Sequence, residues 1–451
     1  MNKENDKNIE NSNFSQKIGF WTLLAIVINA QLGSSIFLLP TKLAAFGPLG
    51  LIGWIIGGIG AILIAMIFGF LCLETSKTGG PHIYATMTFG KKIGFFVSWL
   101  YWCGGWITNP ILITTAIDYL EQIVGPINVF LRFFLEAFIV ILFTLLNIRG
   151  IKWAGLLESI MVFIKLFPLI LIPILAISNI NFDNFSMNNY EKLPDLNLST
   201  FGIIISSSII AFWGFIGLEE GGSTADSVKN AKKTVPLAII LGTSIVALIS
   251  LIITLSIFGI IPCYELKDIH APLAVVLGKL IGGTYDKIIG ILTFLMCCGS
   301  LNAWVLFSGK LAQSASNEGL FPEIFGKTNK NGSAFISLII AGFGTICVLA
   351  ILEFTPYKNT FSDFLDMSVI MYIVLYLMAI ISYLGFIFKN KKENYSIIRI
   401  IIAILAFLFC FTMLICSNLK DFIAVFAVLL FSLPVYFNLK NKLNNDYSLN
   451  N

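Results

Sequence analysis

The chain is 451 residues long, with 57% hydrophobic and 12% charged residues and a mean hydropathy of +0.88. Soluble globular domains carry about 25% charged residues, so this composition excludes a water-soluble fold. The formal net charge of +4 gives no nucleic-acid reading, because Lys and Arg here sort by side of a membrane.

Residues 1–16 are polar and mixed in charge, without the apolar core and cleavage site of a signal peptide, and read as a disordered cytoplasmic tail. Crossing roughly 30 Å of hydrocarbon takes about 20 apolar residues, and about twelve such runs follow. They are expected near 17–46, 49–75, 92–122, 127–148, 153–178, 200–228, 235–261, 284–315, 333–352, 363–388, 396–417 and 421–439. The expected fold class is an all-α polytopic membrane protein of about twelve transmembrane helices, leaving no room for a soluble domain. Connections on the amino-terminal side hold Lys77, Lys91, Lys92, Arg149, Lys152, Lys229, Lys232, Lys233, Lys327, Lys330, Lys389, Lys391, Lys392 and Arg399. Opposite connections, such as NINFDNFSMNNYEKLPDLN and CYELKDIHAPL, are mixed or acidic. This asymmetry predicts a multi-pass protein of the cytoplasmic (inner) membrane, with both termini, including the tail 441–451, in the cytoplasm.

The first span, WTLLAIVINAQLGSSIFLLPTKLAAF, carries Gly33, Ser34 and Ser35 in the middle of an apolar run. Unpaired backbone groups cost several kcal/mol at mid-membrane, so a break there is retained where it lines a cavity or binds a ligand. The amides that open the second half-helix suit a carboxylate, and carbonyls freed before Gly33 suit an ammonium, so one break can hold both ends of an α-amino acid. A kink that only eases helix packing is the alternative.

The third span carries YWCGGW at 101–106, and the eighth carries CCGSLNAW at 297–304, where small residues let helices approach and aromatic rings face a cavity. Lys165 sits in the fifth span without a carboxylate four residues away. It reads either as a proton relay or replacement for a coupling cation, or as a lysine snorkelling to the headgroups. The sixth span repeats the oddity of the first, with Gly214 and Gly217 interrupting the helix. Two interrupted spans five apart are the mark of an inverted repeat with substrate bound where the breaks meet. Glu219 and Glu220 follow that break. An intramembrane carboxylate is a functional candidate, so Glu219 is assigned to coupling, with a structural cap of the half-helix as the alternative.

Eight cysteines lie mostly in apolar spans without disulfide or metal spacing and read as packing residues. His82 and His270 fall in different loops, and no phosphate loop or nucleophile elbow occurs, so neither enzymatic activity, metal nor cofactor is expected.

On these residues the chain resembles the amino acid/polyamine/organocation transporters, and among them the basic amino acid and polyamine antiporters such as the arginine/agmatine and putrescine/ornithine exchangers. The matching motifs are GSSIFLLP at 33–40, TGGPHIYATMTFG at 78–90, FWGFIGLE at 212–219, VKNAKKTVP at 228–236, and GSLNAW followed by EGLFPEIF. The resemblance implies a LeuT-like fold of five-plus-five inverted repeats, broken in helices 1 and 6. It predicts a core over 17–390 with repeats at about 17–178 and 200–388, and two further helices over 391–440. It also implies a homodimer that exchanges an amino acid or polyamine by alternating access, with no nucleic-acid partner.

Carried over residue by residue, Ser34 and Ser35 match the substrate-carboxylate site, and the carbonyls of Ala30, Gln31, Trp213 and Ile216 match the α-ammonium site. Gly104, Gly105 and Asn109 match groups that receive the guanidinium, Trp304 the ring that stacks on it, and Trp213 a gate. Tyr101 and Glu219 match an outer-gate tyrosine and an acid linked to pH sensing. Ser35 and Gly214 depart from the pattern, and Lys165 instead resembles the fifth-span lysine of proton-driven amino acid transporters. A proton-coupled symporter is therefore the first alternative, and a nutrient receptor without transport a distant one.

Overall fold

The structure, a computed structural model, describes residues 19–33, 35–74, 80–149, 165, 168–186, 198–223, 228–269, 271–282, 286–355, 360–389 and 396–444. The first span is two helices, α1 (Phe20–Gln31) and α2 (Ser35–Ala44), bent by 41°. There follow α3 (Gly50–Glu74), the short α4 (Pro81–Phe89), α5 (Lys91–Ile107), α6 (Asn109–Val124) and α7 (Val129–Ile148). After them come α8 (Thr200–Phe212), the single turn α9 (Glu220–Ser223), α10 (Ala231–Ile260), and the loop helices α11 (Cys263–Leu266) and α12 (Pro272–Ile281). The chain continues through α13 (Asp286–Asn317), α14 (Glu323–Gly326), α15 (Phe335–Phe354), α16 (Thr360–Lys389), α17 (Ile397–Ile415), α18 (Leu419–Leu430) and α19 (Leu433–Asn444).

Among the described residues, nine helical segments are long and apolar enough to cross a membrane, and ten if the bent pair α1–α2 counts as one. The protein is thus an all-helical multi-pass membrane protein. The expected span at 92–122 is instead two helices, α5 and α6, that meet at Thr108. Pro110 is the reason. It has no N–H for the carbonyl four residues back, and its ring crowds that carbonyl. The carbonyl in question, Trp106, receives the Thr345 hydroxyl of α15 at 3.1 Å instead. Most of the span expected at 153–178 lies outside the described residues, although Lys165 is described and 168–176 is helical.

Small residues set the helix spacing around the first half. A Cβ built on Gly53 of α3 would stand 2.7 Å from the Ser207 backbone of α8, and one on Gly69 would stand 3.1 Å from Pro236 of α10. With little hydrophobic drive between helices in lipid, such close contact is what holds the pairs. The two ends of the bundle differ in charge. One carries Lys91, Lys92, Arg149, Lys232 and Lys233, and the other carries Asp118, Glu121, Glu353, Asp363 and Asp366. They are called the basic and acidic ends below.

Gly53→Val is expected to lower detergent stability by about 1–3 kcal/mol, the usual cost of overpacking. Gly202→Ala, whose added Cβ meets nothing nearer than 3.5 Å, is expected to lose none. Thermal unfolding of the purified protein checks both, and an unchanged midpoint for Gly53→Val contradicts the close α3–α8 contact.

Candidate functional site

The backbone dictates where the site forms. Helix α1 ends at Gln31, where Leu32 turns out of helical geometry and its N–H still reaches the Ile28 carbonyl at 2.8 Å. Helix α8 ends at Phe212, tightens through a turn at Trp213–Phe215, and extends at Ile216. Gly217 then takes φ +105°, a conformation that side chains disfavour, and the site of its missing Cβ lies 3.0 Å from the Ala30 carbonyl oxygen. The two breaks therefore touch.

Between them lies a small, partly open cavity. Of the predicted residues, Ala30, Gln31, Gly33, Ser35, Trp213, Ile216 and Trp304 line it. Thr108 and Leu112, which sequence reasoning missed, line it too. Ser34 lies outside the described residues. The Ser35 hydroxyl donates to the Gln31 carbonyl at 3.3 Å. Trp304 is held edge-on by Phe307 at 5.4 Å and by Tyr372 at 6.1 Å between ring centroids. Among the described residues no charged side chain is in the lining, whereas Gln31 Oε1, Asn109 Oδ1 and the Tyr372 hydroxyl nearby are buried without a hydrogen-bond partner. Buried acceptors of this kind are costly when unpaired and favourable towards an N–H donor, which an ammonium supplies.

Gly104 and Gly105 stand behind this surface. A Cβ on Gly104 would meet the Tyr372 ring at 3.1 Å and one on Gly105 the Ser308 hydroxyl at 3.1 Å, so both glycines admit α13 and α16 closely. The Gly104 carbonyl receives the Thr108 hydroxyl at 2.9 Å. Gly214 does not open the cavity, since its Cβ position is 2.7 Å from the Trp54 ring. That packing accounts for glycine after Trp213.

Glu219 is fully buried on the basic side of the break. Its carboxylate receives the Tyr376 hydroxyl at 2.6 Å, the Tyr101 hydroxyl at 3.2 Å and the Gly217 N–H at 3.2 Å, which ties α5, α16 and the sixth-span break together. Sequence reasoning found Tyr101 and missed Tyr376, for which a hydroxyl in an apolar run was the only signal. Lys165 is 2% exposed and donates to Asn29 Oδ1 of α1 at 2.7 Å, so its ammonium points into the bundle beside the first break. Asn29, a polar residue inside an apolar span, was likewise missed.

His82, expected in a loop, sits in the first turn of α4, buried, with its ring centroid 6.2 Å from that of Tyr101 and with neither ring nitrogen hydrogen-bonded. His270 lies outside the described residues.

The family model described as amino acid permease matches residues 18–444. The chain belongs to the amino acid permease family. Among curated relatives, this permease is 26% identical to the cadaverine/lysine antiporter of Escherichia coli strain K12, over 94% of this chain and 95% of the relative. It is 30% identical to the putrescine transporter PotE of Haemophilus influenzae, over 81% of this chain and 83% of that one. PotE of Escherichia coli K12 is 28% identical over 81% and 82%. The permease thus shares nearly its whole length with transporters and carries its two breaks inside the matched region.

Burial pushes His82 down to about 4 from the usual 6.5. Between those values the folded protein binds fewer protons there than the unfolded chain, so stability falls as pH falls, by about 2 kcal/mol at pH 5. His82→Phe is expected to flatten the loss of thermal midpoint between pH 7.5 and pH 5. Parallel pH slopes for parent and variant contradict a buried neutral His82.

Proposed function

We propose that this permease is a secondary active transporter of the cytoplasmic membrane that exchanges a basic amino acid for an amine or polyamine by alternating access. The observation that carries this reading is the cavity between the two breaks, walled by Trp213 and Trp304 and provided with unpaired neutral acceptors. Such a wall favours a cationic side chain, because an ammonium or guanidinium over a Trp face gains about 0.5–2 kcal/mol. Relatives named for cadaverine, lysine and putrescine support the same class, and ornithine/putrescine and arginine/agmatine pairs belong to it as well. The carboxylate is assigned to Ser34 and to Ser35, the first residue of α2, and the α-ammonium to the carbonyls of Ala30, Gln31, Trp213 and Ile216. Asn109 and Trp304, backed by Gly104 and Gly105, receive the side-chain cation. Trp213 closes the cavity, and Tyr101 with Glu219 forms a barrier on the basic side, in place of the outer gate that the resemblance implied for Tyr101. A core of two inverted repeats, a homodimer and cytoplasmic termini complete the reading.

In proteoliposomes, uptake of labelled lysine, arginine, ornithine or putrescine is expected to rise several-fold when the vesicles are preloaded with the partner compound. Equal uptake into empty vesicles overturns exchange. Trp213→Leu is expected to abolish uptake with the thermal midpoint preserved, and more than half of parental exchange removes Trp213 from the site.

The Lys165–Asn29 contact favours a second reading, proton-coupled symport, because an ammonium tied to the first break can trade its proton as that break rearranges. Under symport, Lys165→Arg abolishes accumulation driven by a pH gradient, since arginine does not release its proton. Under exchange, Lys165→Arg keeps trans-stimulated uptake, and the parent shows no gradient-driven accumulation in empty vesicles.

A further inference from the structure

The acidic mouth above the cavity holds a lysine in an unusual role. Lys42 lies on α2 seven positions beyond Ser35, or about 10 Å along the helix from the cavity lining. Its ammonium donates to the Ser362 hydroxyl at 3.2 Å and stands over the Phe361 ring, 5.2 Å from the centroid. Asp366, one turn further along α16, interacts with it electrostatically. The neighbouring residue, Thr41, donates to the Ile269 carbonyl at 2.7 Å, so the end of α2 is fastened on two sides. Helix α16 then continues to Tyr372 and Tyr376, which contact Trp304 and Glu219.

A lysine side chain ends in a primary alkylammonium, the same group that a diamine or a basic amino acid such as lysine or ornithine presents. An aromatic face and a hydroxyl that hold one such group, with a carboxylate acting on it electrostatically from one turn further along, have the chemistry to hold another. The surroundings add charge in the same sense, because Arg132 is paired with Asp118, Glu121, Glu136 and Glu353 within 3.4 Å, a cluster with more carboxylates than cations. Mouths of one sign concentrate ligands of the other.

Building on the reading of the permease as a carrier of cationic amines, we propose that Phe361, Ser362 and Asp366 form an alkylammonium subsite at the acidic mouth. Lys42 fills it in this conformation, and the terminal ammonium of an incoming substrate displaces Lys42. Displacement frees the end of α2 from α16, so arrival of the substrate is coupled to release of the first break. Lys42 is a positioning residue here, and the subsite is a waypoint before the central cavity.

The test reads the subsite with n-propylamine as probe, independently of transport. Ser362→Cys is labelled in detergent with a charged maleimide, against the parent protein as background for the native cysteines. Adding Lys42→Met is expected to speed labelling at 362 about three- to tenfold, and n-propylamine is expected to slow it again by a similar factor. Lys42→Arg keeps the slow rate. In uptake assays Lys42→Met is expected to lower the KM for putrescine and Asp366→Asn to raise it, each about three- to tenfold. Labelling unaffected by Lys42→Met and by n-propylamine overturns the subsite, as does a KM unchanged in both variants while transport persists. Propylamine protection in a parent that carries no amine or basic amino acid upholds the subsite and overturns the transport reading instead. Should Lys42→Met not fold, Lys42→Ala carries the same two readouts: faster labelling at 362 that n-propylamine slows upholds the subsite, and labelling unchanged by either overturns it.

Discussion

The fold depends on one backbone contact, the approach of Gly217 to the Ala30 carbonyl. Two helices that stop at mid-membrane each leave amides and carbonyls without partners, and hydrocarbon offers none. Stacking one break on the other lets the freed groups face a shared cavity instead of lipid. That solution needs a residue without a side chain at the contact and a positive φ beside it, and glycine supplies both. The tight packing of α3 on α8 and α10 then fixes the depth at which the breaks meet.

Charge is kept out of the cavity wall and placed just behind it. Glu219 is satisfied by two tyrosine hydroxyls and a backbone amide, and Lys165 is bound to Asn29. A bare carboxylate in the wall would hold a cation tightly and release it slowly, whereas amide oxygens and tryptophan faces bind it more weakly and let it leave. Neutral walls with charged residues one layer behind suit a carrier that must load and unload the same ligand in each cycle.

Helix α16 connects these parts. Near its middle, Tyr376 reaches Glu219 and Tyr372 touches Trp304, and at its acidic end Ser362 receives Lys42. The second break and the end of the first span therefore share one rigid neighbour. A rotation of either against α16 exchanges contacts at both, which gives the bundle discrete arrangements and not a continuous range of them.

The sequence by itself determined the membrane-spanning class, the positions of most spans and both breaks, because each rests on a local cost: apolar length, or a glycine-bearing interruption where backbone groups lack water. It also picked out Glu219, since an acidic residue beside such a break is conspicuous in the chain, whereas Trp213 and Trp304 were assigned through the family resemblance. Tertiary structure alone decided who pairs with whom. Tyr101 and Tyr376 meet Glu219 across 118 and 157 residues, and Lys165 meets Asn29 across 136, distances over which no local pattern carries information. The division of the third span at Thr108 was written in Pro110, but how the orphaned Trp106 carbonyl is satisfied was not, because Thr345 comes from another helix. His82 looked like a loop residue because its neighbours are glycine-rich and polar, and only the packing of α4 beneath Tyr101 buries it. Local chemistry fixes what a segment must avoid, and helix packing fixes which partner lets it do so.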